Sequence, residues 1–159
     1  MVEVLGVSVT VRVETVIRAP IEQCFDAARA LDLHVETLAH TNEKAIAGRT
    51  TGLIELGEEV TWRGRHLGVV QTFTSRITAF ERPFYFQDSM VRGAFRSFIH
   101  DHWFVVEGDR TRMTDAVVFA APLGILGRVA EILFLRRYMH NLLVMRGKTL
   151  KGTLEKRAL

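Results

Sequence analysis

A single cysteine, Cys24, leaves the chain unable to build an intrachain disulfide, a thiolate metal cluster or a CxxC redox pair. Proline is scarce, three in 159 residues, and with 48% hydrophobic and 25% charged residues a disordered or low-complexity chain is excluded. No long hydrophobic run is present: the longest, 116–127, is interrupted by Pro122 and falls short of the roughly 20 residues of a membrane-spanning helix. The first residues show no basic segment leading into an apolar run and a small-residue cleavage site. These absences set the expectation of a cytoplasmic protein that is not embedded in a membrane. Also missing are a glycine-rich phosphate loop, a serine nucleophile elbow and an HExxH helix. No repeat or linker divides the chain, and its length suits one domain over residues 1–159.

The formal net charge of +3 conceals an asymmetry. From Arg128 onward, eight lysines and arginines face only Glu131 and Glu155, which leaves +6 there and −3 in the rest of the chain. A basic helix of this kind complements its own dipole or meets an anionic partner, and peripheral contact with a lipid surface stays open. Nucleic-acid binding is not expected, because no aromatic residues alternate with the basic ones on a strand face.

Ser8 to Arg18 alternates, with Val9, Val11, Val13, Thr15 and Ile17 on one face, which predicts a half-buried strand. Pro20 ends it and leads into Ile21, Cys24, Phe25, Ala28 and Leu31, spaced at three and four as a helix requires. Cys24 on that apolar face reads as a packed, inert thiol. An irregular segment carrying His34 and His40 follows. Strands are then expected over 43–47, 52–56, 58–63, 68–80, 84–91, 97–107 and 110–121, with short turns at Arg92-Gly93-Ala94 and Gly108-Asp109 that make the last three an antiparallel meander. From Pro122 the pattern turns helical for about 35 residues. Ile125, Val129, Ile132, Leu133, Met139, Leu142, Leu143, Leu150 and Leu154 are its apolar positions, and Gly147 and Gly152 mark places for bending or fraying. The fold class is α+β: an antiparallel sheet curled around a long terminal helix, with short helices after the first strand.

Several segments, in order, carry a resemblance. They are Val16-Ile17-Arg18-Ala19-Pro20 with Cys24-Phe25, then Leu56-Gly57-Glu58-Glu59-Val60-Thr61-Trp62, then Phe80-Glu81-Arg82-Pro83 with Phe86-Gln87-Asp88. His100-Asp101-His102-Trp103-Phe104 and Thr114-Asp115 followed by Pro122-Leu123-Gly124 complete the set. Together they resemble the START-like, or helix-grip (SRPBCC), superfamily, in particular its polyketide cyclase/dehydrase-type ligand-binding branch. The resemblance spans Val9 to about Gly152. It implies a cavity between sheet and terminal helix that holds a hydrophobic small molecule, and it does not by itself imply a reaction.

Strand alternation identifies the inward polar groups. Phe98, His100, His102 and Phe104 share one face, as do Met113, Asp115 and Val117, and Phe84, Phe86 and Asp88. A tight turn at Gly108-Asp109 pairs Glu107 with Arg110 and so sets His102 opposite Asp115; the preceding hairpin brings Asp88 within one position of His100. Two aspartates and two histidines thus form a ladder in an apolar wall. They can satisfy one another beneath a ligand, or recognise and protonate a carbonyl or hydroxyl upon it; His100, His102, Asp115 and Asp88 are then the catalytic candidates. A zinc or iron site is disfavoured, since same-face residues two apart stand about 7 Å from each other, and no metal or cofactor is expected. The predicted ligand-facing set is completed by Trp62, Phe86, Phe98 and Phe104 on the sheet and by Met139, Leu142, Leu143 and Arg146 on the helix. Arg146 is a carboxylate anchor or an outward, solvated residue. Ile99 and Trp103 on the opposite face, and Ile132 to Leu135, leave exposed apolar groups that a homodimer would cover. Two functions stand open: a carrier or sensor of a lipid, isoprenoid or aromatic polyketide-like ligand, and a cyclase or dehydratase-type enzyme.

Overall fold

The computed structural model describes residues 8–121, 129 and 131–157. Among them, seven strands form one antiparallel sheet in the order β1-β7-β6-β5-β4-β3-β2. The strands are β1 (Val9–Ile17), β2 (Lys44–Gly48), β3 (Glu59–His66), β4 (Val69–Glu81), β5 (Tyr85–Arg92), β6 (Ser97–Glu107) and β7 (Arg110–Ala120). β2 to β7 run as a meander, and β1 closes the row against β7. Bulges in β2 between Ala45 and Ala47, in β4 between Ile77 and Ala79 and in β5 between Met90 and Arg92 interrupt the ladder and give the sheet its curl. Two hairpins are tight. Gly108 takes φ +62 between Glu107 and Arg110, while Leu67 and Gly68 both have positive φ between His66 and Val69, the pattern that matches strand twist.

The 52–56 segment is not a strand. Gly52 and Gly57 adopt left-handed φ of +74 and +81, and the backbone between them bonds to the helix junction, Ile54 N–H to Arg29 O and Leu31 N–H to Gly52 O. Its apolar Leu53-Ile54 pair imitates a strand while one isolated bridge, Ala30 to Leu53, is all the pairing it makes. The segment expected to be irregular is largely helical: α1 (Ile21–Ala28) is followed by α2 (Leu31–Thr37), which carries His34, and by a 3₁₀ turn, Ala39–Thr41, which carries His40. Pro20 precedes α1 as its cap, its carbonyl accepting from Gln23 and Cys24. Cys24 is buried, and burial pushes its thiol up from the ordinary range.

At the C-terminal end a π-turn, Glu131–Leu135, runs into α3 (Arg136–Arg157), 22 residues and roughly 33 Å long. The expected helix start at Pro122, with Leu123, Gly124, Ile125 and Arg128, lies outside the described residues, as do residues 1–7. α3 passes unbroken through Gly147 and Gly152. Gly147 is a contact point: a Cβ there would stand 2.2 Å from Thr15 Oγ1, so only glycine lets the helix lie this close to β1. The concave face is shared. Phe25 of α1, fully buried, meets the rings of Phe80, Phe86 and Phe104 edge-on at 5.2–5.4 Å, and α3 covers the remainder.

The interior therefore holds two apolar clusters. One gathers Ile17, Phe25, Phe86, Phe104, Met113 and Leu150; the other gathers Val11, Val117, Phe119, Met139 and Leu143. A charged layer lies between them.

Candidate functional site

Along β6 the inward residues run Phe104, His102, His100, Phe98; along β7 they run Met113, Asp115, Val117; along α3, Arg146 lies between Leu143 and Leu150. Each element thus contributes a polar group at the level where the two clusters meet. The register sets His102 opposite Asp115 and Asp88 opposite His100. The β5–β6 hairpin opens beyond Ser89↔Ile99, and its pairing of Asp88 with His100 falls within the one-position range expected.

The bonds within the layer run partly along diagonals. His100 Nε2 is 3.0 Å from Asp115 Oδ1, and His102 Nε2 is 2.9 Å from Asp88 Oδ2. His102 Nδ1 also lies 2.8 Å from Asp115 Oδ1, whereas the direct pair His100–Asp88 is separated by 3.8 Å, too long for a hydrogen bond. Arg146 is buried rather than solvated: its Nη1 donates to Asp115 Oδ1 at 2.6 Å and its Nη2 to the Ala28 carbonyl at 2.7 Å. Asp115 is fully buried, and its Oδ2 has no hydrogen-bond partner among the described residues. Its charge is balanced through Oδ1 alone, which gathers Arg146 and both imidazoles.

Burial works against the Asp115 charge, but Arg146 and the two imidazoles outweigh it and hold the carboxyl well below its ordinary range. Asp88 is likewise lowered, burial being overcome by the hydrogen bond from His102 and the charges around it. His100 shifts the other way for its type: burial and the neighbouring His102 push it down, so its ring is neutral near pH 7. The His102 ring stacks on Phe86 at 4.0 Å and meets the His100 ring at 3.8 Å with a tilt of 37°.

A pocket of about 220 Å³ opens between the sheet and α3. Trp62, Phe86, Asp88, Phe98, His100 and His102 line it from the sheet, and Met139, Leu142, Leu143 and Arg146 from the helix. Phe104 and Asp115 stand outside the lining. Phe104 is packed under α1, and Asp115 lies behind the histidines and orients them. Asp88, His100 and His102 each offer one atom within 4.8 Å of the others, the two-imidazole, one-carboxylate set that iron or zinc accepts. Two features oppose a cation there. The same atoms bond to one another, and the Arg146 guanidinium sits 3.4 Å from His102 Nδ1.

Sequence reasoning missed a second polar group on this pocket. His34 and His66 flank Glu43, and Tyr138 joins them from α3; all four line the pocket. Burial would raise the Glu43 carboxyl, yet hydrogen bonds from His34 and His66 hold it down to about 2. The one signal in the sequence was Gly64, inward-facing between Trp62 and His66, which leaves room for Glu43 to lie over the strand. His40, by contrast, is exposed.

These shifts have a common sign in acid. Glu43, Asp88 and Asp115 are lower when folded than unfolded, so their contribution is full above the unfolded values of 4.5 and 3.8 and is lost as pH falls toward the folded values. His100 is also lowered, so below its unfolded value of 6.5 the unfolded chain takes up the proton first. Stability measured by urea unfolding should therefore decline from about pH 6.5 and fall most steeply between about pH 4.5 and 2, Glu43 alone accounting for about 3 kcal/mol. In Glu43→Gln the loss between about pH 4.5 and 2 should shrink by about 3 kcal/mol, while the parts from Asp88 and Asp115 remain; a Glu43→Gln curve parallel to that of the natural chain would refute this assignment.

No protein-family model matches the chain, and no curated protein does. Solved structures match over nearly its whole length. The Zhui aromatase/cyclase from Streptomyces sp. R1128 superimposes with a TM-score of 0.77 at 12% identity, covering 96% of this chain and 97% of that one. A norcoclaurine synthase point mutant from Thalictrum flavum, in complex with a transition-state analogue, gives 0.75 at 10% identity, covering 99% and 100%. The protein has the START-like, helix-grip fold. Major latex-like protein 151 from Panax ginseng shares it, with a TM-score of 0.71 at 13% identity over 94% of this chain and 99% of that one. Within the helix-grip fold the pocket lies between the gripping sheet and the gripped helix. No helix among the described residues is long and apolar enough to cross a membrane.

Proposed function

We propose that this helix-grip protein binds an apolar small molecule, a lipid, isoprenoid or aromatic polyketide-like compound, in the pocket between sheet and α3, and acts as its carrier or sensor. The observation that supports it most is the composition of the lining. Apolar walls from both interior clusters flank a polar layer whose charges already satisfy one another, so a ligand is held by shape and by a few remaining lone pairs. Contact of the basic terminal helix with an anionic lipid surface belongs to the same proposal, because Ile132, Leu133 and Phe134 are exposed beside Arg136 and Arg137. So does self-association over the outer sheet face, where Ile99 and Trp103 stay exposed.

One observation favours a second reading, a cyclase or dehydratase-type enzyme. His100 faces the pocket with a ring that Asp115 orients and burial keeps neutral, which suits a general base. Two of the similar structures are named for a cyclase and a synthase. Exchange of the α-protons of 2-acetylnaphthalene in heavy water separates the readings. A carrier leaves the exchange rate at that of buffer. An enzyme accelerates it by about 10²-fold or more and loses the acceleration in His100→Gln, while the affinity for the ketone changes little; that result would displace the carrier.

A further inference from the structure

The second polar group is a chain of four side chains, three from α2, β3 and α3 and one, Glu43, from the connection just before β2. His34 of α2 reaches Glu43 Oε1 with Nε2 at 3.0 Å, and His66, at the end of β3, reaches Oε2 with its own Nε2 at 3.1 Å. His66 Nδ1 then lies 2.8 Å from the Tyr138 hydroxyl in the first turn of α3. The assembly is held firmly. Trp62 stacks on His34 at 4.2 Å, and Glu43 is buried against Gly64, whose absent side chain would meet Glu43 Cβ at 3.2 Å.

Hydrogen placement follows from the ends. A carboxylate only accepts, so each Nε2 facing Glu43 carries a hydrogen. With a single ring hydrogen held at Nε2 by Glu43, His66 presents a bare Nδ1, and Tyr138 donates its hydroxyl hydrogen to it. Burial and the Glu43 charge raise the Tyr138 phenol, which keeps it protonated. Toward the pocket the Tyr138 oxygen is left with lone pairs only.

We infer that Tyr138, positioned by His66, Glu43 and His34, is a hydrogen-bond acceptor that selects ligands bearing a hydroxyl, phenolic or alcoholic, at this end of the pocket. The inference rests on the ligand-binding reading and narrows it, from any apolar molecule to a hydroxylated one. Glu43, His34 and His66 act as positioning residues, since their part is to fix which way the Tyr138 hydrogen points.

The test compares 2-naphthol with 2-methoxynaphthalene, in which a methyl group replaces that hydrogen, by calorimetric titration at about pH 8, above the ordinary imidazole range. The natural chain should prefer the naphthol by about tenfold. In Tyr138→Phe the preference should vanish while the methyl ether binds as before, and in Glu43→Gln it should shrink, because the amide no longer dictates the His66 tautomer. The ratio of the two affinities cancels any loss of folded protein, so a merely destabilised variant leaves it unchanged. Equal binding of both compounds to the natural chain overturns the inference and leaves the pocket reading intact. A preference that survives in Tyr138→Phe also overturns it. One that survives in Glu43→Gln refutes the relay and leaves Tyr138 acting alone. Binding of neither compound defeats the pocket reading and this inference together.

Discussion

Replacing Arg146 with methionine should lower the stability of the protein by about 3–5 kcal/mol, measured as a shift of the urea midpoint at pH 7. Methionine fills much of the same space, so the loss is electrostatic. Asp115 stays charged and fully buried, with its Oδ2 already unpartnered and its Oδ1 deprived of the 2.6 Å bond that balances it. The Ala28 carbonyl loses its donor as well. Removing the second charge should restore most of what was lost: in Arg146→Met with Asp115→Leu the layer has no orphaned carboxylate, and well-packed apolar replacements of buried ion pairs cost little. The cycle should thus show a coupling of at least about 2 kcal/mol. Additive losses would mean that Arg146 and Asp115 contribute independently, and the charged layer would not be the unit described above.

Leu142→Trp should abolish binding of apolar ligands while leaving the fold in place. Leu142 is half-buried and lines the pocket from α3, and the indole would take up much of a cavity of about 220 Å³. Filling a space that is not already packed does not impose the strain of overfilling a close-packed core, about 1–3 kcal/mol, so thermal unfolding should move by no more than a few degrees. Affinity for 2-naphthol should fall by at least a hundredfold. A variant that melts as the natural chain does and still binds would place the ligand elsewhere on the molecule.

How far the sequence carried this picture depends on how local each determinant is. The β6–β7 hairpin could be read to the residue, because a two-residue turn at Gly108-Asp109 fixes every pair above it, His102↔Asp115 included. The β5–β6 hairpin could be read only to within one position, because its connection is wider and its register is settled by packing: Phe95 in the loop lies against Phe98 and Phe119. The 52–56 segment misled because Leu53 and Ile54 are apolar for a different reason, their contact with the α1–α2 junction. Arg146 had a readable sign, its place between Leu143 and Leu150 on the buried side of a helix, yet periodicity alone cannot say that a carboxylate waits opposite. His34, Glu43, His66 and Tyr138 had almost none. They come from three elements and a connection with no shared period, and only the curl of the sheet over α3 brings them together.

Native mass spectrometry of the protein isolated from the cells that make it tests the ligand-binding pocket most directly. The natural chain should carry a small apolar, hydroxylated adduct that is released on denaturation, and Leu142→Trp from the same cells should carry none. A bare chain in both preparations, or an adduct that Leu142→Trp retains, would contradict it.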